Sequence, residues 1–593
     1  MDKTSSIHCG NDNPFKRPRL PEGVKKVNLS RSNTDESITK AITSLHITSK
    51  INKSSFLDSI KHKDFETQLY EISQHPSIKS TSNLSLSRPS IPENFAAETH
   101  TLTFQQYESN TYQDPLTRQS YIRLHGVTMQ GNSVSCLVSG FNHYLYIESP
   151  ITFTNAGIQR FAVYLCKQIL PELVDLEFVH KKCSVTGKIV KLLKACVHDH
   201  TVINNELRER IEKKGLLFPN ESDQELAAES WKLYKVQTYD NIQYLFRFLI
   251  DKHIKGPSWI TLPKGKYTYY KDWEVKQTTC QFEVIVNHED AVYHNQTEKP
   301  WCKLNAPLRI VSFDFETDTY KTQGKSNSEY HRILQISNIV VHSKVNSTEE
   351  NVPFVRNIFV LDSCDEIKGT DVRSFDTERE MLMAWRQFIE DVDADIITGF
   401  NIKLFDFPFL FNRLSVTSDN EESQLYPLGR CKSLSSGLTK EPPTTEGGLS
   451  LTSRQLLNLN GRIVIDLFPF CKRQETVKNG KCSLTVCSEK YLGDHKEEFG
   501  YKDIHPCQRG DSKTRKRMAV YCVKDSYLTL RIFQITGCLQ HYVAKSMDTG
   551  VPIHQSAQWQ TSLTVNVARR FKKFWESSKE GHVTLNRGVN NRI

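Results

Sequence analysis

The stretch RIVSFDFETDTY, from Arg309 to Tyr320, constrains the fold more than any other part of the sequence. Val311, Phe313 and Phe315 alternate with Ser312, Asp314 and Glu316, and successive side chains on a strand point to opposite faces. A strand here turns one apolar face to a core and carries Asp314 and Glu316 together on the other. Acidic residues often close a strand where it meets solvent, so the pair alone leaves open whether the carboxylates are solvated or share a target.

The elements around this strand indicate the fold class. RILQISNIVVHS (Arg332 to Ser343) supplies a second strand with a mostly apolar face. TEREMLMAWRQFIEDV opens with Thr377 and has Glu380 three residues on, a capping-box pattern, followed by Leu382, Trp385, Phe388 and Ile389 on one stripe. ADIITGFN then reads as a short buried strand, and the strand, helix, strand order predicts an α/β domain starting near Ala306. Upstream, YIRLHGVTMQGNSVSCLVSGFNHYLYIESP (Tyr121 to Pro150) reads as a meander of strands. TNAGIQRFAVYLCKQILPEL (Thr154 to Leu173) reads as a helix and QFEVIVNHED (Gln281 to Asp290) as another strand, so an α+β domain precedes the α/β one. The polar, turn-rich region from Ser418 to about Asn460, with KEPPTTEGG inside it, is expected to be an exposed excursion.

A chain of 593 residues has room for two or three domains plus flexible parts. Residues 1–98 are rich in Ser, Thr, Lys and Asn and poor in aromatics, which predicts a mostly disordered arm. Its basic cluster KRPRLPEGVKK (Lys16 to Lys26) fits a nuclear address, a DNA contact or a solvated tail. No run approaches the ~20 apolar residues that cross a bilayer, and MDKTSSIHCGNDNPFKRPRL lacks the apolar core of a secretory signal, so neither a membrane partner nor export is expected. The 15 cysteines show no C-x-x-C spacing. Cys482 and Cys487 form the closest pair, with four residues between them, so reduced and mostly buried thiols are expected. A net charge of +9 permits a polyanionic partner without requiring one.

Two further carboxylates join the first pair. In GFNIKLFDFPFLFNRL (Gly399 to Leu414), Asp406 precedes a helical run with Pro408 in its first turn, which suits a helix cap and suits metal ligation only if the carboxylate turns inward. In KRMAVYCVKDSYLTLRIF (Lys516 to Phe533), Tyr521 and Asp525 are four residues apart and share a helix face. Each taken singly has a plain structural explanation. As the ordered set D-x-E, N-x-x-x-F-D and Y-x-x-x-D they are far more specific.

That set resembles the three exonuclease motifs of family B DNA polymerases, in the tyrosine-containing four-carboxylate form. NAPLRIVSFDFET, IITGFNIKLFDFPFL, GRIVIDLFPF, EKYLGDHKEE and RKRMAVYCVKDSYLTLRI follow in family order. RFLIDKHIKGPSWITLPKGKY, CQFEVIV and GVTMQGNSVSCLVSGFNHYLYIESP are similar to the amino-terminal domain of the replicative delta type. The resemblance implies a ribonuclease-H-like exonuclease domain with a mixed sheet over residues 306–545. Before it come an α+β amino-terminal domain over 99–305 and the arm over 1–98; after it comes a lead-in toward the palm over 546–593. It implies that Asp314, Glu316, Asp406 and Asp525 hold two divalent ions, Mg²⁺ or Mn²⁺, that Tyr521 orients the attacking water, and that Asn401 and Phe405 hold the end of an unpaired strand. Carboxylates suit such hard cations, which can activate a water and stabilise the departing oxygen of a phosphodiester.

The implied function is removal of 3′-terminal nucleotides from single-stranded DNA or a frayed primer end, as the proofreading portion of a replicative enzyme in the nucleus or at a viral replication site. The alternative is a chain that binds single-stranded DNA or a partner subunit without nuclease activity. The family's polymerase motifs D-x-x-S-L-Y-P and Y-G-D-T-D-S do not occur here, so polymerisation by this chain alone is not expected and a separate polypeptide carrying that half is a possible partner. Phe315 and Ser526 replace the family's usual aliphatic residue and Ala, and Leu484-Thr485 replaces a Leu-Asn pair. In related polymerases a strand-separating hairpin occupies the place of Leu428 to Gly461; an ordinary surface loop is the other reading.

Overall fold

A computed structural model of the chain describes residues 56–61, 63–79, 86–219, 231–294, 304–318, 327–343, 351–417, 428–434, 436–441, 445–446, 449–450, 454–473, 482–558, 572 and 574–583. The Lys16–Lys26 cluster lies outside them.

The strand Leu308–Thr317 is central in a six-stranded mixed sheet. On one side it pairs antiparallel with Ile333–Ser343, which pairs antiparallel with Val355–Leu361, and Asp371–Phe375 then adds in parallel. On its other side Ile396–Gly399 and Ile463–Asp466 add in parallel. Antiparallel strands followed by parallel additions give the mixed α/β, ribonuclease-H-like order expected.

Alternation along Leu308–Thr317 sorts its side chains into two cores. Val311, Phe313 and Phe315 pack with the helices Glu378–Asp391 and Asp406–Val416. Leu308 and Ile310 pack beneath the long helix Ser512–Ile535, and Asp314 and Glu316 share their face. The helix Glu378–Asp391 has Thr377 as its cap, with Thr377 Oγ1 accepting from Glu380 N at 3.2 Å, while Glu380 Oε2 accepts from the cap hydroxyl at 2.9 Å instead of the cap amide of a full capping box. Its stripe of Met381, Leu382, Trp385, Phe388 and Ile389 is buried, and Trp385 donates its indole N–H to Asn338 Oδ1 at 2.9 Å.

The amino-terminal region forms a seven-stranded sheet that includes Leu102–Gln113, Ser120–Thr128, Ser133–Ser139 and Phe282–Asn287. A five-stranded sheet includes His143–Glu148, Leu173–Cys183 and Ile189–Val197, flanked by the helix Asn155–Gln168. The chain's last described strand, His582–Val583, returns to that second sheet and pairs in parallel with Lys182 and Cys183.

Two expectations need correction. Residues 56–79 are not a disordered stretch; they form the helices Phe56–Ile60, Phe65–Ser73 and Pro76–Lys79. Asp64 caps the second by accepting from Thr67 N at 3.0 Å, and Phe65, Leu69 and Ile72 form a buried stripe on the core under Ser512–Ile535. Average composition over 98 residues conceals one short amphipathic helix with a receptive surface. The second correction concerns the excursion, whose roots are not exposed: Leu428, Arg430, Cys431, Leu457 and Leu459 are buried. Between those roots, Gly437–Glu441 pairs antiparallel with Arg454–Asn458, so the backbone does form a hairpin.

Arg430 ends in a buried ion network at the base of the central sheet. Arg88 and Arg430 each donate to Asp395 Oδ1 at 2.7 Å, as does the Tyr107 hydroxyl, and Asp395 Oδ2 accepts from Arg309 N at 2.7 Å. Asp393 is bound by the same two arginines, at 2.5 Å and 2.7 Å. Burial opposes charge on Asp393, but Arg430, Arg88 and Arg462 outweigh it and hold the carboxyl far below its usual range.

Trp385 fills the space between this sheet and its covering helix, so Trp385→Ala leaves a large cavity and an unpaired Asn338 carbonyl. Denaturant unfolding should show a loss of about 3–5 kcal/mol, with little change for the exposed neighbour Gln387→Ala.

Candidate active site

Three segments bring the acidic residues together. The strand Leu308–Thr317 supplies Asp314 and Glu316, placed opposite Ser337 and Gln335 of the neighbouring strand. The helix Ser512–Ile535 crosses that face closely because small polar groups line the contact: Ser312 Oγ donates to Ser526 O at 2.9 Å, and the Ser337 and Ser526 hydroxyls are 2.6 Å apart. Ser526 therefore uses its hydroxyl where the family's Ala has none. One turn earlier on the helix is Cys522, and one ligand atom each from Asp314, Glu316 and Cys522 lies within 4.8 Å of the others. The thiol is a poor anionic ligand, since burial and then the charges of Asp314 and Glu316 push its pKa well up.

Asp406 comes from the third segment. It is the first residue of its helix rather than the cap, a role taken by Phe405 without a side-chain hydrogen bond, so the cap expectation does not hold. Its carboxylate is buried, 3 % exposed, and close enough to raise the pKa of Asp314.

Electrostatics show what this assembly lacks. Burial raises the pKa of Asp314 well above the usual range, and the charges of Asp525, Asp406 and Glu316 add to it. Glu316 is pushed up to about 8 by burial and then by Asp525. Asp406 is raised by burial and then by Asp466. Asp525 is raised by burial, against the opposing charge of Lys496. Four mostly buried carboxylates thus repel one another beside an ammonium that pairs with Asp525.

That ammonium belongs to Lys496, which pairs with Asp525 Oδ2 and donates to the Tyr521 hydroxyl at 2.8 Å. Tyr521 stacks on Phe499 at 4.8 Å, and burial followed by the charges of Asp525, Glu316 and Asp314 keeps its phenol protonated. Asp525 Oδ1 is buried with no hydrogen-bond partner among the described residues. An orphaned carboxylate oxygen beside three other carboxylates fits a hard divalent cation: oxygen donors, excess negative charge, and an unfilled acceptor.

Sequence reasoning missed Lys496 and Asp466. Lys496 sits in DHKEEF among other charged residues and has no periodic relation to Asp525, so only folding reveals their contact. Asp466, at the end of its strand, accepts from Asn401 N at 2.8 Å, Lys403 N at 3.1 Å and Phe468 N at 3.0 Å. These bonds hold the turn leading to Asp406, in which Asn401 adopts a φ of 70°. Phe405 follows, 37 % exposed with its ring 5.8 Å from Phe315, beside Leu404, which is 74 % exposed. Asn401 and Phe405 therefore lie on the loop that enters the Asp406 helix.

Comparison with known proteins assigns a family to part of this chain. The family profile "DNA polymerase family B, exonuclease domain" matches residues 236–485, a span containing Asp314, Glu316, Asn401, Phe405 and Asp406 and ending before Lys496, Tyr521 and Asp525. The chain is 32% identical over 495 residues to the DNA polymerase delta catalytic subunit of Candida albicans, a match covering 82% of this chain and 43% of that protein. The corresponding subunit of Arabidopsis thaliana is 33% identical over 488 residues, covering 79% of this chain and 42% of that protein. Among solved structures, the family B DNA polymerase of the hyperthermophilic archaeon Pyrobaculum calidifontis matches with a TM-score of 0.52 at 16% identity, over 82% of this chain and 52% of that one, which supports the fold. The chain spans about 43% of the length of its curated relative from Candida albicans. With its mixed sheet, its convergent carboxylates and its similarity to delta catalytic subunits, the chain belongs to DNA polymerase family B and carries that family's exonuclease domain.

Proposed function

We propose that this chain removes nucleotides from the 3′ end of single-stranded DNA, as the proofreading portion of a delta-like polymerase acting in DNA replication in the nucleus. The observation that carries the reading is the convergence of Asp314, Glu316, Asp406 and Asp525 beside Tyr521, with an orphaned oxygen on Asp525. Asp314, Glu316, Asp406 and Asp525 would hold two divalent cations, Mg²⁺ or Mn²⁺. When bound, such ions lower the pKa of water and stabilise charge on the departing oxygen.

The protein's own groups do the rest. The Tyr521 phenol, kept protonated and anchored by Lys496, directs a hydrogen bond toward the attacking water and limits its orientations. Asn401 and the exposed face of Phe405 receive the terminal nucleotides, since an aromatic face stacks on any base with little sequence preference. Asp466 keeps their loop in place through the backbone of Asn401 and Lys403. We take residues 99–305 as the amino-terminal domain, 306–545 as the exonuclease domain and 546–593 as the approach to a polymerase half, supplied by a continuing or a separate polypeptide. The paired strands Gly437–Glu441 and Arg454–Asn458 would, on this reading, help to separate a primer end from its template.

Purified chain, a 5′-labelled single strand and Mg²⁺ should give a ladder of shortened products. The double variant Asp314→Ala/Glu316→Ala should give none while still binding the strand. Equal shortening by both proteins would contradict the proposal, and strand binding without cleavage by the unaltered chain would favour the binding-only alternative.

Lys496 supplies a second test. Replacing it with Met removes the ammonium that fixes Tyr521 and Asp525 but leaves an aliphatic stem of similar length. Single-turnover cleavage should slow by about 10–100-fold, with little change in strand affinity. An unchanged rate would show that the contact has no part in the reaction.

A further inference from the structure

The closest cysteine pair in the sequence acquires a physical meaning in the fold. Ser483 caps the helix Leu484–Leu492, its Oγ accepting from Val486 N at 3.3 Å. In such a start the residue before the cap packs against the fourth helical residue, normally as a pair of hydrophobic side chains. Here those positions are Cys482 and Cys487, and their sulfurs lie 3.8 Å apart. The six-residue string CSLTVC therefore encodes a sulfur contact through capping geometry, with no C-x-x-C spacing required.

The surroundings make the pair chemically uneven. Cys487 is buried, 3 % exposed, while Cys482 lies partly open to solvent. Cys471, in the helix Leu467–Arg473, and Cys482 both act on the Cys487 sulfur. The Cys471 bond chiefly lowers the Cys487 thiol, against the effect of burial and with help from Cys482, to about 7. Cys482, by contrast, is pushed up to about 12 by burial and then by Cys487. One sulfur is thus disposed to carry the anion and its neighbour to keep the proton.

We propose that Cys482 and Cys487 form an oxidant-sensitive dithiol, a modification site at which hydroperoxides convert the pair to a disulfide. The Cys487 thiolate attacks the terminal oxygen of the peroxide; the O–O bond breaks, and hydroxide leaves and takes up a proton, giving a sulfenic acid on Cys487. The Cys482 sulfur then attacks the Cys487 sulfur, the S–O bond breaks, and hydroxide departs with the Cys482 proton as water. Two thiols lose two electrons, and hydrogen peroxide is reduced to two waters. Bond formation requires the sulfurs to close from 3.8 Å to the ~2.05 Å of a disulfide. This site is separate from the carboxylate cluster, and its existence does not depend on the nuclease reading.

The test uses the full chain at neutral pH. It is treated with hydrogen peroxide, alkylated with N-ethylmaleimide and digested with trypsin, and the peptide Cys482–Lys490 is weighed. The expected peptide carries no alkyl groups, is lighter than the dithiol form by two hydrogen atoms, and gains two alkyl groups if dithiothreitol precedes alkylation. Cys471→Ala should still form the bond, whereas Cys482→Ala should leave Cys487 as a sulfenic or sulfinic acid. The unfolded chain in guanidinium should form the bond more slowly. Alkylation of both cysteines after peroxide, a bridge between Cys471 and Cys487, or equal rates in the folded and unfolded chain would each overturn the proposal.

Discussion

The cost of removing carboxylates from water governs this molecule at both ends of its central strand. At the lower end, Asp393 and Asp395 are surrounded by Arg88, Arg430 and Arg462, with Tyr107 and the backbone of Arg309 filling further acceptor sites. Opposite charge prevails there over desolvation, and both carboxyls stay ionised. About 16 Å along the strand, at its rise per residue, Asp314 begins a second cluster in which Lys496 pairs with Asp525 and lies near Asp314 and Glu316. The first cluster has its carboxylates fully paired with arginines; the second has an excess of negative charge that favours binding cations.

The arginine-paired cluster fixes the strands that carry the second one. Asp395 receives the amide of Arg309 on its side chain, donates its own amide to Arg309 O at 2.9 Å, and accepts from Ile463 N through its carbonyl at 2.9 Å. One residue thus ties together the starts of three adjacent strands, of which Leu308–Thr317 carries Asp314 and Glu316 and Ile463–Asp466 ends in Asp466. With the strand roots fixed, repulsion among the site carboxylates cannot relax by spreading the sheet. Arg430 adds the excursion to this junction and Tyr107 adds the amino-terminal sheet, which explains why the roots of a polar, turn-rich segment are buried.

Features encoded within one element were legible in the sequence. Alternation placed Asp314 and Glu316 on one face, Thr377 and Glu380 marked a helix start, and the spacing of Tyr521 and Asp525 put them on one helix. Features that depend on two distant segments were not legible. Lys496 meets Asp525 only because the chain after Gly493 turns back over the long helix, where Asp494 also pairs with Lys524 at 3.1 Å. The helix Phe65–Ser73 was hidden by the composition of its neighbours, and Arg88 and Arg430 were indistinguishable from surface arginines until their aspartates were in place. Asp406 is intermediate: its position at a helix start was readable, but its inward direction was not.

The carboxylate cluster holds a mutual repulsion that bound divalent cations would remove. Thermal unfolding of the metal-free chain, followed across a Mg²⁺ titration and compared with Asp314→Asn, reads that repulsion. The predicted result is a melting temperature that climbs with Mg²⁺, amounting to about 2.7 kcal/mol at a hundredfold excess over Kd. Asp314→Asn should match or exceed the metal-free stability of the unaltered chain and lose most of the Mg²⁺ response. A flat Mg²⁺ titration, or a variant that is less stable without metal yet keeps the full response, would contradict it.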